Sequence, residues 1–417
     1  MSFPDKTNRE DAMPHPSPLI AAIALLLPLT ALAQPVADGP PNRPDITPAF
    51  PEQTEAPERI SSFVADPRLI AGGLEHPWAV AVLPDGAGYL VTERPGRLRH
   101  ISRDGTVSAP IAGVPDVFDT AQGGLLDVAL APDFAESRQL YLSFSKPLGL
   151  MRAATAAVRA TLSQDHARLT DVVEIFEQTP ASRVPIHFGS RVVPAADGTV
   201  WITTGERGGT PGLRELAQDA STTYGAVVRV TADGAPAPEN PFLGDTDAAP
   251  ERVTLGQRNI QGAALAPVSG ALWTVEHGPA GGDELNLIEP GANYGWPLVS
   301  YGINYNGSEI GDGRAAHAPD FVEPVYYWDP VIAPGGMVFY AMPVGDEMFP
   351  EWSGDLLIAG LQAQAIVRLS LEDGRVVAEE RLARGIGRVR DVAVDSNGAV
   401  LFVTDASNGG LYTLMRN

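Results

Sequence analysis

Apolar and polar residues alternate with a period of two in several stretches of the chain. Most of these stretches contain two apolar segments separated by a short turn such as PDG, ADG or SNG. A period of two is typical of β-strands, and turns of this composition are typical of hairpins. No segment of useful length has the 3.6-residue period of a helix. The pattern therefore predicts an all-β protein built from hairpins.

Six such stretches follow one another along the chain. They begin at Trp78, Leu125, Ser190, Gly262, Gly335 and Val389. Their spacing of roughly 50–70 residues leaves room for four to five strands in each repeat. We therefore predict a six-bladed β-propeller of four-stranded antiparallel blades. An array of β-sandwiches is the alternative.

The start of the chain does not follow the repeat. Residues 1–33 contain an apolar run that ends in the A-x-A sequence Ala31–Ala33, which is typical of a cleaved signal peptide, and Met13 offers a second start. Residues 34–60 are Pro-rich and polar, which predicts an extended linker. Residues 61–417 hold the repeats and form the predicted catalytic domain. We expect export to the periplasm, with no stable membrane insertion after cleavage.

Composition narrows the classes of function. The formal net charge is −22, which argues against nucleic-acid binding because that function needs a basic surface. The chain has no cysteine, so disulfides, thiolate catalysis and Cys-ligated zinc are excluded. Lys6 and Lys146 are the only lysines. A buried anion must therefore be held by arginine, backbone amides or a metal.

Candidate chemical groups lie beside the predicted hairpins, where the loops of a propeller converge on one end of its channel. His187, in HFGSR, precedes a predicted strand and is a candidate general base. A hydrogen-bonded structural histidine is the alternative. Arg258 and Asn259, in GQRNIQG, place a guanidinium beside an amide, which suits an oxygen-rich anion or a developing oxyanion. A surface arginine beside a turn asparagine is the alternative.

Two further motifs indicate ligands. Arg388 and Arg390 are two residues apart and would share one face of a strand, which suggests a carboxylate ligand between them. Pairing with acidic residues near them in the sequence is the alternative. The Gly-rich loop GPAGGDEL contains Asp283 and Glu284 and exposes carbonyl oxygens, which suit calcium, although it lacks the EF-hand spacing.

Six motifs together resemble those of a known family in their number, order and spacing. They are AQGGLLD, HFGSR, GQRNIQG, EHGPAGGDELN, NYGWP and GRVRD. They resemble the soluble PQQ-dependent aldose dehydrogenases, the glucose/sorbosone dehydrogenase family of six-bladed propellers, over essentially the whole mature chain. The resemblance implies oxidation of an aldose at the anomeric carbon to a lactone, with PQQ and Ca²⁺ as cofactors. The substrate would be a small sugar, the electron acceptor is unknown, and a monomer is favoured.

The resemblance also implies roles for individual residues. His187 would take the proton of the anomeric hydroxyl while hydride passes to C5 of PQQ, and Arg258 would stabilise the quinone oxygen. Gln122 would lie near the substrate. The remaining cofactor-binding residues would be Asn259, Arg388, Arg390 and Trp328. Calcium would be bound by Gly278 and Pro279 in the active site and, at a second structural site, by Glu284 and Tyr294.

Four positions depart from the family's pattern. Ile260 replaces a proline, Ala280 an arginine and Gln362 a lysine, and Ala226 stands at another basic position. Each lost charge-assisted contact to a tri-anionic cofactor costs about 1–3 kcal/mol, so PQQ affinity should fall. Two alternatives stay open: a binding module that has lost its cofactor, and a calcium-dependent lactonase-type hydrolase.

Overall fold

The computed structural model describes residues 1–2, 34–36, 38–208, 212–343, 345 and 347–416. Nearly all of the predicted signal peptide, with Met13, lies outside these ranges. Within them the chain forms six antiparallel sheets, and its one α-helix is a single turn, α1 (Phe134–Ser137). The prediction of an all-β, six-bladed propeller is confirmed.

The strands run in chain order around the ring. After β1 (Ala65–Leu74), the first two blades contain β2 (Pro77–Val82), β3 (Tyr89–Glu93), β4 (Arg97–Ile101), β5 (Leu125–Leu130), β6 (Gln139–Pro147), β7 (Ala153–Leu162) and β8 (Leu169–Glu177). The third and fourth blades contain β9 (Gly189–Pro194), β10 (Thr199–Thr204), β11 (Val227–Thr231), β12 (Ile260–Leu265), β13 (Leu272–Glu276), β14 (Asp283–Leu287) and β15 (Tyr326–Trp328). The last two contain β16 (Pro334–Phe339), β17 (Leu356–Gly360), β18 (Ala365–Glu372), β19 (Arg375–Leu382), β20 (Val389–Val394), β21 (Val400–Thr404) and β22 (Gly409–Arg416). Short 3₁₀ turns occur at Pro51–Gln53, Pro84–Gly86, Arg214–Gln218 and Pro350–Trp352.

The ring closes without a covalent link. Strand β1 pairs antiparallel with β22, so the two ends of the propeller share the sixth blade in the order β1-β22-β21-β20. Four blades have four strands. The first and third have three, and single bridges from Ile101 to Val107 and from Val230 to Pro236 extend them outward.

The first strands of the six blades surround the channel. They contact one another in a closed ring in the order β2, β5, β9, β12, β16, β20 and back to β2. Their first residues are buried and, in most blades, their last residues are partly exposed. Apolar side chains of neighbouring blades fill the space between the sheets. All six first strands therefore begin at the same end of the molecule.

A β-bulge interrupts the pairing of every first strand with the second strand of its blade. In three blades the bulge leaves out a single residue, which is Trp78 in β2, Gln261 in β12 and Arg390 in β20. A bulge redirects a side chain relative to the regular pleat. These three side chains line a large cleft at one end of the propeller.

Buried charges tie the first strands together below that cleft. The Arg191 guanidinium of β9 donates to Asp127 of β5 at 2.7 Å and lies 3.2 Å from Asp391 of β20. The backbone N–H groups of Val192 and Val80 donate to these carboxylates at 2.7 and 2.8 Å. Burial raises the pKa of both aspartates, that of Asp391 to about 6, and Arg191 opposes the rise. We call these three side chains the floor cluster.

Residues 34–60, whose composition predicts an extended linker, contact the propeller at several points. Gln53 is fully buried and accepts a hydrogen bond from the Tyr301 hydroxyl at 3.0 Å. The backbone N–H of Ala56 donates to the Tyr326 hydroxyl at 2.9 Å. The propeller offers polar partners that satisfy the irregular backbone of this segment, and these partners are distant in sequence. We call residues 34–60 the N-terminal strap.

Candidate active site

A cleft of about 980 Å³ opens at the end of the propeller where the first strands begin. Two kinds of loop line it. One precedes a first strand, as His187 precedes β9 and Arg258 lies before β12; the other follows a second strand, as Gly278 follows β13 and Gln362 follows β17. Because every blade repeats the same strand order, the topology brings distant polar residues to one place.

The structure brings eight of the eleven predicted site residues to this cleft. They are Gln122, His187, Arg258, Asn259, Gly278, Pro279, Arg388 and Arg390. Glu284 and Tyr294 lie in a small adjoining cavity that Gly278 and Pro279 also line. Trp328 lies elsewhere.

His187 forms a pair with a residue that the sequence analysis missed. Its Nδ1 lies 2.6 Å from Oε2 of Glu206, which is 1% exposed. Burial alone would raise the pKa of Glu206, but His187 and Arg258 outweigh it and the net shift is downward. The side chain is therefore a carboxylate at neutral pH. Since a carboxylate only accepts hydrogen bonds, the proton sits on Nδ1 and leaves Nε2 as the basic nitrogen.

Glycines make room for this pair. His187 itself has a φ of 52°, in the left-handed region that side chains rarely adopt. A Cβ added to Gly208 would lie 2.5 Å from Nδ1 of His187, and one added to Gly205 would lie 2.0 Å from its carbonyl oxygen. The backbone N–H of Gly208 also donates to Glu206 at 3.0 Å. The loop after β10 is thus shaped around the imidazole.

Two amide side chains flank the imidazole. Oε1 of Gln122 accepts the backbone N–H of His187 at 2.8 Å, and Oδ1 of Asn259 accepts the backbone N–H of Gly189 at 3.0 Å. Because the carbonyl end of each amide is bound, the NH₂ ends remain as donors in the cleft that both residues line. Such donors suit oxygen atoms of a substrate or cofactor.

Arg258 is buried and held from several sides. Its guanidinium donates to the carbonyl oxygen of His277 at 2.8 Å and lies over the Trp296 ring at 5.2 Å. Its Nε lies 4.0 Å from Glu206. Its backbone N–H donates to Glu276. Arg258 and His187 therefore share one carboxylate, which places a fixed cation beside the candidate base.

A second group of charges lies on the opposite blades. Asp405 accepts hydrogen bonds from Arg390 at 2.6 Å and lies 2.8 Å from Nδ1 of His76. Burial opposes ionisation of Asp405, but Arg390 and His76 outweigh it and hold its pKa at about 2. Arg390 is in the bulge of β20, whereas Arg388 precedes that strand. They meet in the cleft because of the bulge and not because they share a strand face.

The arginines of the cleft fit a polyanion such as PQQ. Four line it: Arg94, Arg258, Arg388 and Arg390. Among the described residues, the buried Nε atoms of Arg94, Arg258 and Arg390 have no hydrogen-bond partner. Buried donors are rarely left unpaired, so these guanidinium groups have unused donor capacity at the cleft, which suits an anionic ligand. The carboxylates that line the cleft are already paired with arginines, Asp405 with Arg390 and one oxygen of Asp38 with Arg381.

The loop after β13 fits a hard cation. The backbone N–H of Gly278 donates to Asp283 at 2.8 Å, which fixes the loop. The carbonyl oxygens of Gly278 and Pro279 accept no backbone hydrogen bond from the part of the chain that the structure describes. Free carbonyls in a fixed loop are suitable calcium ligands.

The adjoining cavity contains two buried carboxylates. Burial and mutual repulsion raise the pKa of Glu284 well above its usual value, and burial raises that of Glu276 to about 7. The carbonyl of Tyr294 accepts no backbone hydrogen bond within the described ranges. These ranges contain no group of three or more His, Cys, Asp or Glu residues arranged for a metal. A cation there would depend on Glu284 together with backbone oxygens.

Trp328 does not line the cleft. It ends β15, is 4% exposed, and its indole N–H donates to Glu379 at 3.0 Å. It faces a separate small cavity beneath the N-terminal strap. Its place in the core follows from the pairing of β15 with β14, which the sequence around Trp328 does not indicate.

The departures from the family's pattern lie in different places. Gln362 and Ala280 line the cleft, so the loss of basic side chains there bears on ligand binding. Ala226 is fully buried before β11, and Ile260 is fully buried at the start of β12. The cleft therefore lacks two of the expected cations but contains Arg94, which the motifs did not indicate.

The family model described as Glucose / Sorbosone dehydrogenase matches residues 74–413. The chain belongs to the glucose/sorbosone dehydrogenase family. Among its relatives, the aldose sugar dehydrogenase YliI of Escherichia coli (strain K12) is 41% identical over 339 residues, which are 81% of this chain and 89% of that protein. The resemblance seen in the motifs is confirmed. The N-terminal strap lies before the region that the family model matches.

Solved structures of the family agree with this assignment. The soluble aldose sugar dehydrogenase of Escherichia coli in its apo-form has a TM-score of 0.79 and 38% identity, covering 85% of this chain and all of that one. The PQQ-bound aldose sugar dehydrogenase of Streptomyces coelicolor has a TM-score of 0.68 and 26% identity, covering 87% of this chain and all of that one. In the described residues we find no helix with the length and apolar character needed to cross a membrane.

Proposed function

We propose that this protein oxidises aldose sugars at the anomeric carbon to lactones, with PQQ and calcium as cofactors, in the periplasm. The observation that carries the proposal is His187, which is paired with the buried Glu206 and lines the same cleft as Arg258 and three further arginines. A relative bound to PQQ supports the choice of cofactor. The electron acceptor that reoxidises the cofactor is unknown.

The chain's own residues would act as follows. Nε2 of His187 takes the proton of the anomeric hydroxyl, and Glu206 holds Nδ1–H and stabilises the imidazolium that forms. Gln122 and Asn259 offer amide donors that orient oxygen atoms beside the imidazole. Arg258 supplies a fixed positive charge where negative charge develops.

The cofactors would be held by the residues described above. Arg388, Arg390 and Arg94 would bind the carboxylates of PQQ, and Gly278 and Pro279 would bind calcium. When bound, PQQ supplies the two-electron oxidant that accepts the hydride of the anomeric carbon, and calcium polarises its quinone. Glu284 and Tyr294 would hold a second, structural calcium.

The carboxylates beside His187 and Arg390 favour this reaction over hydrolysis. A lactonase-type site needs several carboxylates converging on one metal from different blades. Here Glu206 is engaged by His187 and Gly208, and Asp405 by Arg390 and His76. Both are therefore committed to neighbouring residues.

Reconstitution tests the proposal. The mature chain is purified without cofactor, supplied with calcium and titrated with PQQ, and dye reduction is followed with glucose and other aldoses. We expect turnover that requires PQQ and calcium and yields the lactone. If calorimetry detects no PQQ binding even at high concentration, the missing cations at positions 280 and 362 have abolished cofactor affinity. The chain would then be a binding propeller.

A further inference from the structure

The N-terminal strap forms one wall of the cleft. Asp38 and Asn42 line it together with residues of the propeller. Both precede residue 74, where the match to the family model begins. This wall is therefore formed by a segment outside the family match, and that segment contributes polar side chains to the cleft.

Asn42 is fixed in one orientation. Its backbone N–H and its side-chain NH₂ both donate to Oδ1 of Asp329, at 2.9 and 2.6 Å. The backbone N–H of Arg43 donates to the other oxygen of Asp329 at 2.7 Å. Because the NH₂ group is used, the side-chain carbonyl oxygen of Asn42 is left as an acceptor. It accepts no hydrogen bond from the described residues and belongs to an exposed side chain.

Asp38 is also held at one end. Its Oδ2 accepts a hydrogen bond from Arg381, which also donates to Glu379. The side chain is 28% exposed, and its Oδ1 accepts no hydrogen bond from the residues that the structure describes. The strap therefore presents two anchored acceptor oxygens to the mouth of the cleft.

Tyr305 lines the same mouth and is 79% exposed. Its loop is anchored because Ile303 and Ala280 exchange backbone hydrogen bonds at 2.9 and 3.0 Å. Gly281, which follows Ala280, lies against Asp329, since a Cβ added to Gly281 would be 2.6 Å from Oδ1 of Asp329. The loop of Tyr305 and the strap are therefore both linked to the turn that contains Ala280 and Gly281. In this turn Ala280 has only a methyl side chain.

An exposed aromatic ring in a cleft that is also lined by fixed carboxylate and amide groups suits a sugar ring. The oxygens accept hydrogen bonds from neighbouring hydroxyls, and the aromatic face covers the apolar face of the ring. We propose that Asp38, Asn42 and Tyr305 form an outer subsite that binds the second ring of a reducing disaccharide or oligosaccharide, while the reducing-end ring lies at His187. The inference rests on the proposed function.

Matched kinetics on two sugars test the outer subsite. The PQQ- and calcium-loaded enzyme is assayed with maltose and with glucose, as the native sequence and as Tyr305→Ala and Asn42→Ala. Each substitution should lower kcat/KM for maltose roughly tenfold more than kcat/KM for glucose, which corresponds to the loss of one good contact. Val268→Ala is the control, because Val268 is fully exposed in the β12–β13 turn at the opposite end. It should leave the maltose-to-glucose ratio unchanged.

An unchanged ratio in Tyr305→Ala, or an equal loss for both sugars, would overturn the subsite. Asn42→Ala also removes a contact to Asp329 and is accompanied by a thermal unfolding scan. If it lowers the midpoint, Tyr305→Ala decides, since no described contact of the strap depends on that exposed side chain.

A binding measurement separates this inference from the proposed function. Methyl maltoside has no free anomeric hydroxyl and cannot be oxidised, so its binding is measured by calorimetry. If the native protein oxidises no sugar but binds methyl maltoside, and Tyr305→Ala weakens that binding, the proposed function fails and the subsite stands. If the native protein oxidises glucose but does not bind methyl maltoside, the subsite fails alone.

Discussion

Two clusters of buried charge lie at the cleft end of the propeller, and they differ in how completely their polar groups are paired. In the floor cluster, Arg191 donates to Asp127 and to the carbonyl of Gln261, and it also contacts Asp391. The backbone N–H groups of Val192 and Val80 donate further hydrogen bonds to these two carboxylates. In the cleft cluster of His187, Glu206 and Arg258, the Nε of Arg258 is buried without a partner among the described residues.

Burial and charge are therefore shared by both clusters and do not distinguish them. What differs is unused hydrogen-bonding capacity in a residue that lines the cleft. A satisfied cluster fixes the positions of strands, whereas an unsatisfied one is preorganised for a ligand. The comparison predicts that substitutions in the floor cluster act on stability, and those in the cleft act on binding and turnover.

The largest effect on stability should come from the floor cluster. Arg191→Leu leaves two buried carboxylates without their cation and should lower the free energy of unfolding by about 3–5 kcal/mol. Urea denaturation measures this. Arg416→Leu is the matched control, because Arg416 pairs with Glu351 at the surface, and it should change little. An equal, small effect of both substitutions would remove the distinction between the clusters.

Removal of one cleft arginine should act on the cofactor and not on the fold. Arg388 is exposed and has no ion pair within the described ranges. Arg388→Ala should weaken PQQ binding tenfold to about a hundredfold, as expected for one charge-assisted contact. Calorimetry with PQQ measures it, and Arg168→Ala, an exposed arginine in the β7–β8 turn, is the control. A shifted unfolding midpoint with unchanged PQQ affinity would contradict this assignment.

Glu206 should act as a positioning residue through His187. Glu206→Gln keeps a hydrogen-bonding side chain but removes the charge that stabilises an imidazolium. We expect kcat to fall about tenfold to a hundredfold with a smaller change in KM. The downward pKa shift of Glu206 means that it is ionised throughout the neutral range, so its loss should move the acidic limb of the pH–rate profile to lower pH. A fall in kcat without any movement of that limb would indicate a structural role.

The smallest effect should be a gain. Gln362 lines the cleft where the family has a lysine, so Gln362→Lys should strengthen PQQ binding by up to about tenfold. Gln364→Lys adds the same charge to the same turn at a residue that does not line the cleft. Equal gains from both lysines would show that only long-range charge matters, and no gain would mean that the departure at position 362 is neutral.

The hairpin periodicity was sufficient to predict the blades because each strand pair is local in sequence. The first-strand bulges were not predictable, since a single skipped residue such as Arg390 leaves no mark on the alternation. The contacts of the strap were not predictable from the sequence, because partners such as Tyr326 are some 270 residues away. The composition of a segment does not show which hydrogen-bond partners the folded propeller provides for it.

Motifs indicated many of the residues that line the cleft, whereas residues placed there by topology alone were missed. His187 and Arg258 stand in recognisable motifs, whereas Glu206 and Arg94 follow second strands without one. The repeat contains a usable signal, because the turns after four of the six second strands, β3, β13, β17 and β21, supply residues that line the cleft. Applying that rule to the end of β10 would have found Glu206.

The most direct test of the account is the turnover of His187→Ala in the PQQ- and calcium-loaded enzyme with glucose, beside the matched variant His166→Ala. His166 lies in the β7–β8 turn, away from the cleft. We predict that His187→Ala lowers kcat by about a hundredfold to ten-thousandfold while PQQ still binds, because a general base contributes that much, and that His166→Ala does not. Sugar oxidation at the native rate in His187→Ala would contradict the assignment of the base and, with it, the proposed mechanism.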